Sequence, residues 1–367
     1  MPRQWFQNHP YNLNAGLSCT ALVLMIGVSV PLAGFAASMG MVSDNGSGVV
    51  HIFNADLDVV TAKLEAHPGK AVGDCVLASD EQLGFTSSNS GVITFVDLAT
   101  RNLQSVPHSK LVAISNVGVD LALSPDDAFL VVAGGGALQQ PLSVVDTALQ
   151  EEIATAGPFA DHSSVEFCDN GTILVTTTHG KYYGSGPDNA LYDATIDGEG
   201  MISLQGHRLS SGAQPNNVTC APGSMSGVLL DREGGLSSFT LPGLEMADYV
   251  SLDSSIAVAA VFSPNGKQLF VRTRDSVNAF HFNPVTGTMR PDWKQPLAAT
   301  STFYGVDQIA IHPNGNKLYV DGGAPMLILD PRTGSQTGAI NFGDTTGICF
   351  ASSRGPQVGA QLASGQP

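Results

Sequence analysis

The feature that most constrains this chain is a unit of about 40–50 residues that recurs along it. From Ala310, "AIHPNGNKLYVDGGAPMLILDPRTGSQTGAI" reads as apolar strand, Pro-Asn-Gly turn, apolar strand, loop, "LILD" strand, turn and final strand. "LALSPDDAFLVVAGGGALQQPLSVVDTALQEEIATA" from Leu121 and "AVFSPNGKQLFVRTRDSVNAFHFNPVTGTM" from Ala260 repeat the order. Weaker copies begin at Cys75, Val165 and Val218. Pro222, Pro264 and Pro313 stand 42 and 49 residues apart. Turn residues between short Val-, Ile-, Leu- and Phe-rich runs mark chain reversals between pleated strands. Four strands per unit at this period describe a β-propeller.

Six complete units start near Gly73, Val119, Ser163, Asn216, Val258 and Val306. Residues 37–64 supply three further strands without a first one, and "TTGICFASS" (345–353) supplies a first strand alone. Joined, the two fragments make a seventh blade from both chain ends. The expected fold is therefore all-β: a seven-bladed β-propeller over 37–353 whose last blade is closed by N- and C-terminal strands. Closure also removes the free edges of an open array.

Residues 1–36 are read apart from the fold. "AGLSCTALVLMIGVSVPLAGFAAS" (15–38) carries no charge and ends in small residues, after a basic start at Arg3. That pattern reads as an export signal cut near Ala36, with Cys19 leaving with it; the alternative is an uncleaved anchor, since the stretch is long enough to span a bilayer. A secreted or periplasmic protein, with no membrane insertion after cleavage, is the expectation. The small, polar tail from Arg354 is expected to be disordered. The 367 residues hold 16 Lys and Arg against 32 Asp and Glu, a net charge of −16. Such a chain is repelled by phosphate backbones, which excludes nucleic acid as a partner.

"HPNGNKLYV", "SPNGKQLFV" and "SPDDAFLVV", each followed by a Val-x-Asp-like strand, resemble the YVTN repeats of surface-layer and YncE-like propellers. The resemblance covers nearly the whole mature chain. It implies a seven-bladed fold; such propellers include lactonases, subunits of quinoprotein amine dehydrogenases and many binding proteins without chemistry. Architecture is narrowed far more than activity. Asp97, Asp146 and Asp330 belong to the repeat and are expected at strand–turn junctions. His312, in the serine place of the turn, is read as structural.

A propeller's first strands line its tunnel. Register between units puts Asp74, Asp120, Ser164, Asn217, Ala259, Gln308 and Gly347 at one level, with Asn216 and Asp307 one residue earlier. Asp74, Asp120 and Asn217 offer oxygens suited to a hard divalent cation such as Ca²⁺, loosely like the metal rings of propeller lactonases. The same side chains would equally satisfy backbone amides along a polar tunnel. His162 begins a tunnel strand and is a candidate rim base. Tyr182 and Tyr183, in the Gly-rich loop 180–189, suit a recognition surface. No haem-attachment, HExxH, Walker or nucleophile-elbow motif occurs. The expected function is a non-catalytic binding or scaffolding module for a protein or small-molecule ligand at the central-tunnel face. The competing class is a metal-assisted lactonase or a subunit of a periplasmic oxidoreductase.

Four cysteines remain after processing: Cys75, Cys168, Cys220 and Cys349. All lie on first strands, and an exported chain can oxidise them. Cys168 with Cys220, and Cys75 with Cys349, would each join neighbouring blades. Pleat parity puts the two members of each pair on opposite sides of their strands, so bridging is expected to need a one-residue shift. Buried free thiols are the alternative.

Overall fold

The computed structural model describes residues 38–351, apart from 45–46, 71, 89–90, 108–119, 135–139, 160–161, 178–188, 211–213, 253–255, 298–307, 322–324 and 344. The expected signal (1–36), Cys19, the tail from Arg354, Asp307, Tyr182 and Tyr183 lie outside the described residues.

Every element described is a strand, and the strands form seven antiparallel four-stranded sheets. In chain order the inner strands of blades one to six are Val72–Leu77, Asp120–Leu123, His162–Phe167, Pro215–Cys220, Ala257–Phe262 and Ile309–Ile311. In the seventh sheet the inner strand is Thr345–Phe350, hydrogen-bonded to Met39–Asp44 from the other end of the chain. Each inner strand packs against the inner strands on either side, and the sequence closes from blade seven to blade one. The molecule is a seven-bladed β-propeller sealed as expected.

The turns that end the inner strands show why the repeat looks as it does. Ser124 Oγ accepts the Phe129 N–H at 2.9 Å and donates to Asp126 Oδ1 at 2.6 Å. Ser263 repeats this with Gln268 and Asn265. In blade six His312 takes over: its Nδ1 accepts the Asn314 N–H at 3.2 Å, and its Nε2 lies 3.2 Å from Asp56 Oδ1 of blade seven. The last turn position is left-handed, held by Gly266 (φ 67°) and Gly315 (φ 76°), and by Asp127 (φ 59°) in the Ser-Pro-Asp-Asp copy. Asp and Gly are the residues that tolerate this conformation. At the outer hairpins Asp97 Oδ1 accepts the Thr100 N–H, Asp146 Oδ1 those of Ala148 and Leu149, and Asp330 Oδ1 that of Arg332.

The core lies between blades. Phe85, Ile93 and Phe95 of blade one pack on Leu121, Leu123 and Leu130 of blade two. On blade one's other face, Cys75, Leu77 and Val96 pack on Met41, Ile52 and Cys349 of blade seven. Sheets covered on both faces explain second strands buried along their length, such as Ser226–Asp231. At the closing blade Phe53 meets Tyr319, Phe342 and Phe350 edge-on, with centroids 5.5–5.6 Å apart. Gly40 lies under this cluster, where a Cβ would enter the Phe53 and Phe350 rings.

Two disulfides cross blade junctions. Cys75 bonds Cys349, with Cα atoms 5.8 Å apart, and Cys168 bonds Cys220, with Cα atoms 5.4 Å apart. The expected one-residue shift is not needed. A blade turns one face to the preceding blade and the other to the next, so a bridge must link opposite parities. Cys75 shares the face of Leu77 toward blade seven, while Val76 packs toward blade two. Opposite parity is therefore the condition for bonding.

The sequence separations are 274 residues for Cys75–Cys349 and 52 for Cys168–Cys220. Loop-closure entropy makes the longer constraint worth about 1–2 kcal/mol more. Replacing Cys75 and Cys349 by Ala should lower the urea midpoint further than replacing Cys168 and Cys220. Equal losses would contradict an entropic role for the closing bond.

Candidate functional site

An inner strand has only one hydrogen-bonded neighbour, so its free edge, with unpaired N–H and C=O groups, faces the axis. Such groups need partners when buried. Near the strand starts, side chains of adjacent blades supply them. Asp74 Oδ2 accepts the Leu121 N–H of blade two at 3.1 Å, and Asp120 Oδ2 accepts the Val165 N–H of blade three at 2.8 Å. Asn216 Nδ2 donates to the carbonyls of Ala257 and Val258 in blade five, both at 3.0 Å. One strand farther out, Arg272 on the second strand of blade five, wholly buried, donates through Nε to the Asp321 carbonyl just after the second strand of blade six, at 3.0 Å. A register shift recurs at this level in several inner strands, between His162 and Ser164, Pro215 and Asn217, and Ala257 and Ala259.

Asp74 and Asp120 are thus buried clasps between blades, a setting different from an open rim. Asp120 also bonds to Ser164 and Asp74, and burial pushes its pKa up to about 6. Gly347 stands beside this pair, where a Cβ would lie 3.2 Å from Asp74 Oδ1. Among the described residues no three His, Cys, Asp or Glu side chains come together as a metal site. The oxygens of Asp74 and Asp120 that face the neighbouring blades bind amides there. The structure therefore unites Asp74 with Asp120 as a carboxyl pair, puts Asn216 at the blade four–five junction, and leaves Asn217 on the tunnel wall. His162 opens the inner strand of blade three, opposite Thr177.

Beyond this belt lies a cavity of about 780 Å³. Inner-strand residues of all seven blades line it, and it reaches the turns at Asp169, Pro222, Pro264 and Pro313. It therefore extends toward the face where inner strands end. Much of the wall is apolar, including Val76, Val261, Ile309 and Phe350. Glu166 interrupts it, partly exposed, with Thr219 on the next blade and Asn217 two residues before Thr219. Asn217 is 4% exposed, and its Oδ1 has no hydrogen-bond partner. Asp169, at the turn, accepts the Gly223 N–H of blade four at 2.6 Å.

Sequence reasoning placed the site at the strand starts and missed this cavity. The signal was nonetheless present. At the level of Glu166 the other repeats carry Val76, Ala122, Thr219, Val261, Ala310 and Cys349, so Glu166 is the single acidic residue of that tier.

No protein-family model matches the chain, and no curated protein matches it. Solved structures do. A protein of unknown function from Desulfotomaculum acetoxidans is 17% identical with a TM-score of 0.74, covering 86% of this chain and 99% of that one. The periplasmic gluconolactonase of Pseudomonas aeruginosa is 16% identical with a TM-score of 0.67, covering 86% and 99%. Hydrazine synthase of Kuenenia stuttgartiensis is 18% identical with a TM-score of 0.59, covering 77% and 90%. At these identities the likeness is one of fold, shared with lactonase-like propellers.

Because Asp120 is raised from an ordinary value of 3.8 to about 6 by burial, the folded state holds a proton the unfolded chain releases between those values. Its contribution to stability is full below about pH 4 and is lost as pH rises to about 6. Melting temperature followed from pH 4 to pH 7 should show this component in the wild type and lose it in Asp120→Asn. Identical pH profiles would contradict the assignment.

Proposed function

We propose that this chain is an exported propeller that binds a ligand or partner at its central tunnel and performs no chemistry of its own. The carrying observation is the axial cavity: about 780 Å³, walled by all seven blades, with a buried Asn217 oxygen lacking a partner. That volume is in the range of small-molecule sites, and its wall mixes apolar residues with polar ones such as Thr219 and Asn265. Two disulfides fit an oxidising compartment. The charge-free segment before residue 38 fits export by a cleaved signal. Among the described residues no helix is long and apolar enough to cross a membrane.

A hydrolytic reading draws on the likeness to the gluconolactonase. It would recruit Asp74, Asp120 and Asn217 to a divalent cation. Against it stand the amide hydrogen bonds of both aspartates. A subunit role in a periplasmic oxidoreductase draws on the likeness to hydrazine synthase, and differs from the binding reading only in what is bound.

Native mass spectrometry of the protein recovered from its exporting cells separates these readings. A bound molecule or partner should be present and should be lost in Val261→Trp, which fills the cavity, with the fold retained by circular dichroism. Stoichiometric metal that disappears in Asp74→Ala and Asp120→Ala, together with lactone hydrolysis, would instead establish the enzyme.

A further inference from the structure

We infer that blade seven, assembled from both chain ends, is an acid-sensitive latch, whose three N-terminal strands loosen on acidification while blades four and five hold. The carrying observation is where the buried imidazoles lie. Five histidine side chains are described. Those of His207 and His281, in blades three and five, are nearly half exposed. His51, His67 and His312 are 2%, 4% and 1% exposed, and all three stand in or against blade seven.

His51 lies on the second strand of blade seven and meets the Phe342 ring, which follows the last strand of blade six, edge-on at 5.2 Å. Neither of its ring nitrogens has a hydrogen-bond partner. Asp44 is 3.9 Å away, too far for one, and Lys63 stands opposite on the next strand. His67 sits in the connection to blade one. Its backbone N–H donates to the Gly48 carbonyl at 2.9 Å, and its Nε2 has no partner. His312 faces Asp56 of blade seven at 3.2 Å, Lys317 of its own blade and the Phe350 ring.

Neutral imidazoles suit these places and charged ones do not. A proton on His51 or His67 is a charge taken out of water with little to pair it, so the surroundings must open to accept it. Burial pushes all three rings below the ordinary 6.5, His67 to about 4. Lys63 adds to this at His51 and Lys317 at His312, while Asp44, Asp56 and the Thr86 backbone beside His67 oppose it. The unfolded segment takes up its protons near 6.5, and folded His67 only near 4. The stability these rings confer is therefore full above about pH 7 and is lost as pH falls from there toward about 4. Asp120 has the opposite sign and sits away from this seam, so the two effects separate by region. The Cys75–Cys349 bond keeps the inner strand of blade seven fastened to blade one throughout. Opening is thereby confined to the strands Met39–Asp44, Val49–Asn54 and Val59–Glu65.

Hydrogen exchange of the purified protein, read peptide by peptide and corrected for the intrinsic pH dependence of exchange, tests the inference. Between about pH 7 and about pH 4.5, residues 39–67 should lose about tenfold or more protection while blades four and five keep theirs. The double variant His51→Phe and His67→Asn, whose new side chains take up no proton, should retain most of that protection. No loss, a loss spread evenly over the blades, a loss led by another blade, or an unaltered loss in the double variant overturns the inference. Should the double variant not fold, ring titration of the wild type by NMR decides. His67 taking its proton well below 6.5 supports the latch, and titration at that ordinary value overturns it.

Discussion

Contact between neighbouring blades is the constraint on which the rest depends. A four-stranded sheet cannot bury both faces by itself, and here each face is covered only by the next blade around the ring. Polar or covalent links cross all seven junctions. Asp74 reaches Leu121, Asp120 reaches Val165, and Cys168 bonds Cys220. Asn216 reaches Ala257 and Val258, and Arg272 reaches Asp321. Lys317 and Tyr319 of blade six both donate to the Ala55 carbonyl, and Tyr319 also to Asp58 Oδ1. Cys349 bonds Cys75 at the last junction. Disulfides cross two of these junctions, and at one of them Asp169 also accepts the Gly223 N–H beside Cys168–Cys220. Burial and the Asp58 carboxylate push the Tyr319 hydroxyl's pKa up, so it stays a donor.

Closure creates the functional geometry as a by-product. Seven inner strands bring seven free edges to one axis, and the two ends of that axis treat them differently. Near the strand starts, carboxylates and amides bind the edges of neighbouring strands. Farther along, the same tier positions carry Val, Ala, Thr and Glu, whose side chains leave space. The belt that makes the ring and the cavity that could serve a ligand are therefore adjacent layers of the same strands.

The architecture was legible because it is periodic. Short turns built from Pro, Asn, Asp and Gly recur between apolar runs from blade to blade, as at Ser124–Asp127, Ser263–Gly266 and His312–Gly315, so local ambiguity averages out. The split blade was legible as well, from three strands at one end and one at the other. The role of the level around Asp74 was harder to read. Residue types alone present Asp74, Asp120 and Asn217 as possible metal ligands, while the hydrogen bonds that engage both aspartates lie between residues 45–47 apart in sequence. Within a single sheet opposite cysteine parity reads as an obstacle to bonding, whereas between the facing sheets of neighbouring blades it is the condition for it. The cavity was visible only by comparing units at one tier, where Glu166 departs from its equivalents.

The claim beneath all of this is that the two chain ends meet in one sheet and that blade seven is bonded to blade one. Peptide mapping of the purified protein without reduction tests it most directly. The account predicts one cross-linked pair holding Cys75 and Cys349 and another holding Cys168 and Cys220. Cys75 linked to Cys168 or Cys220 instead, or Cys349 recovered as a free thiol, would contradict it.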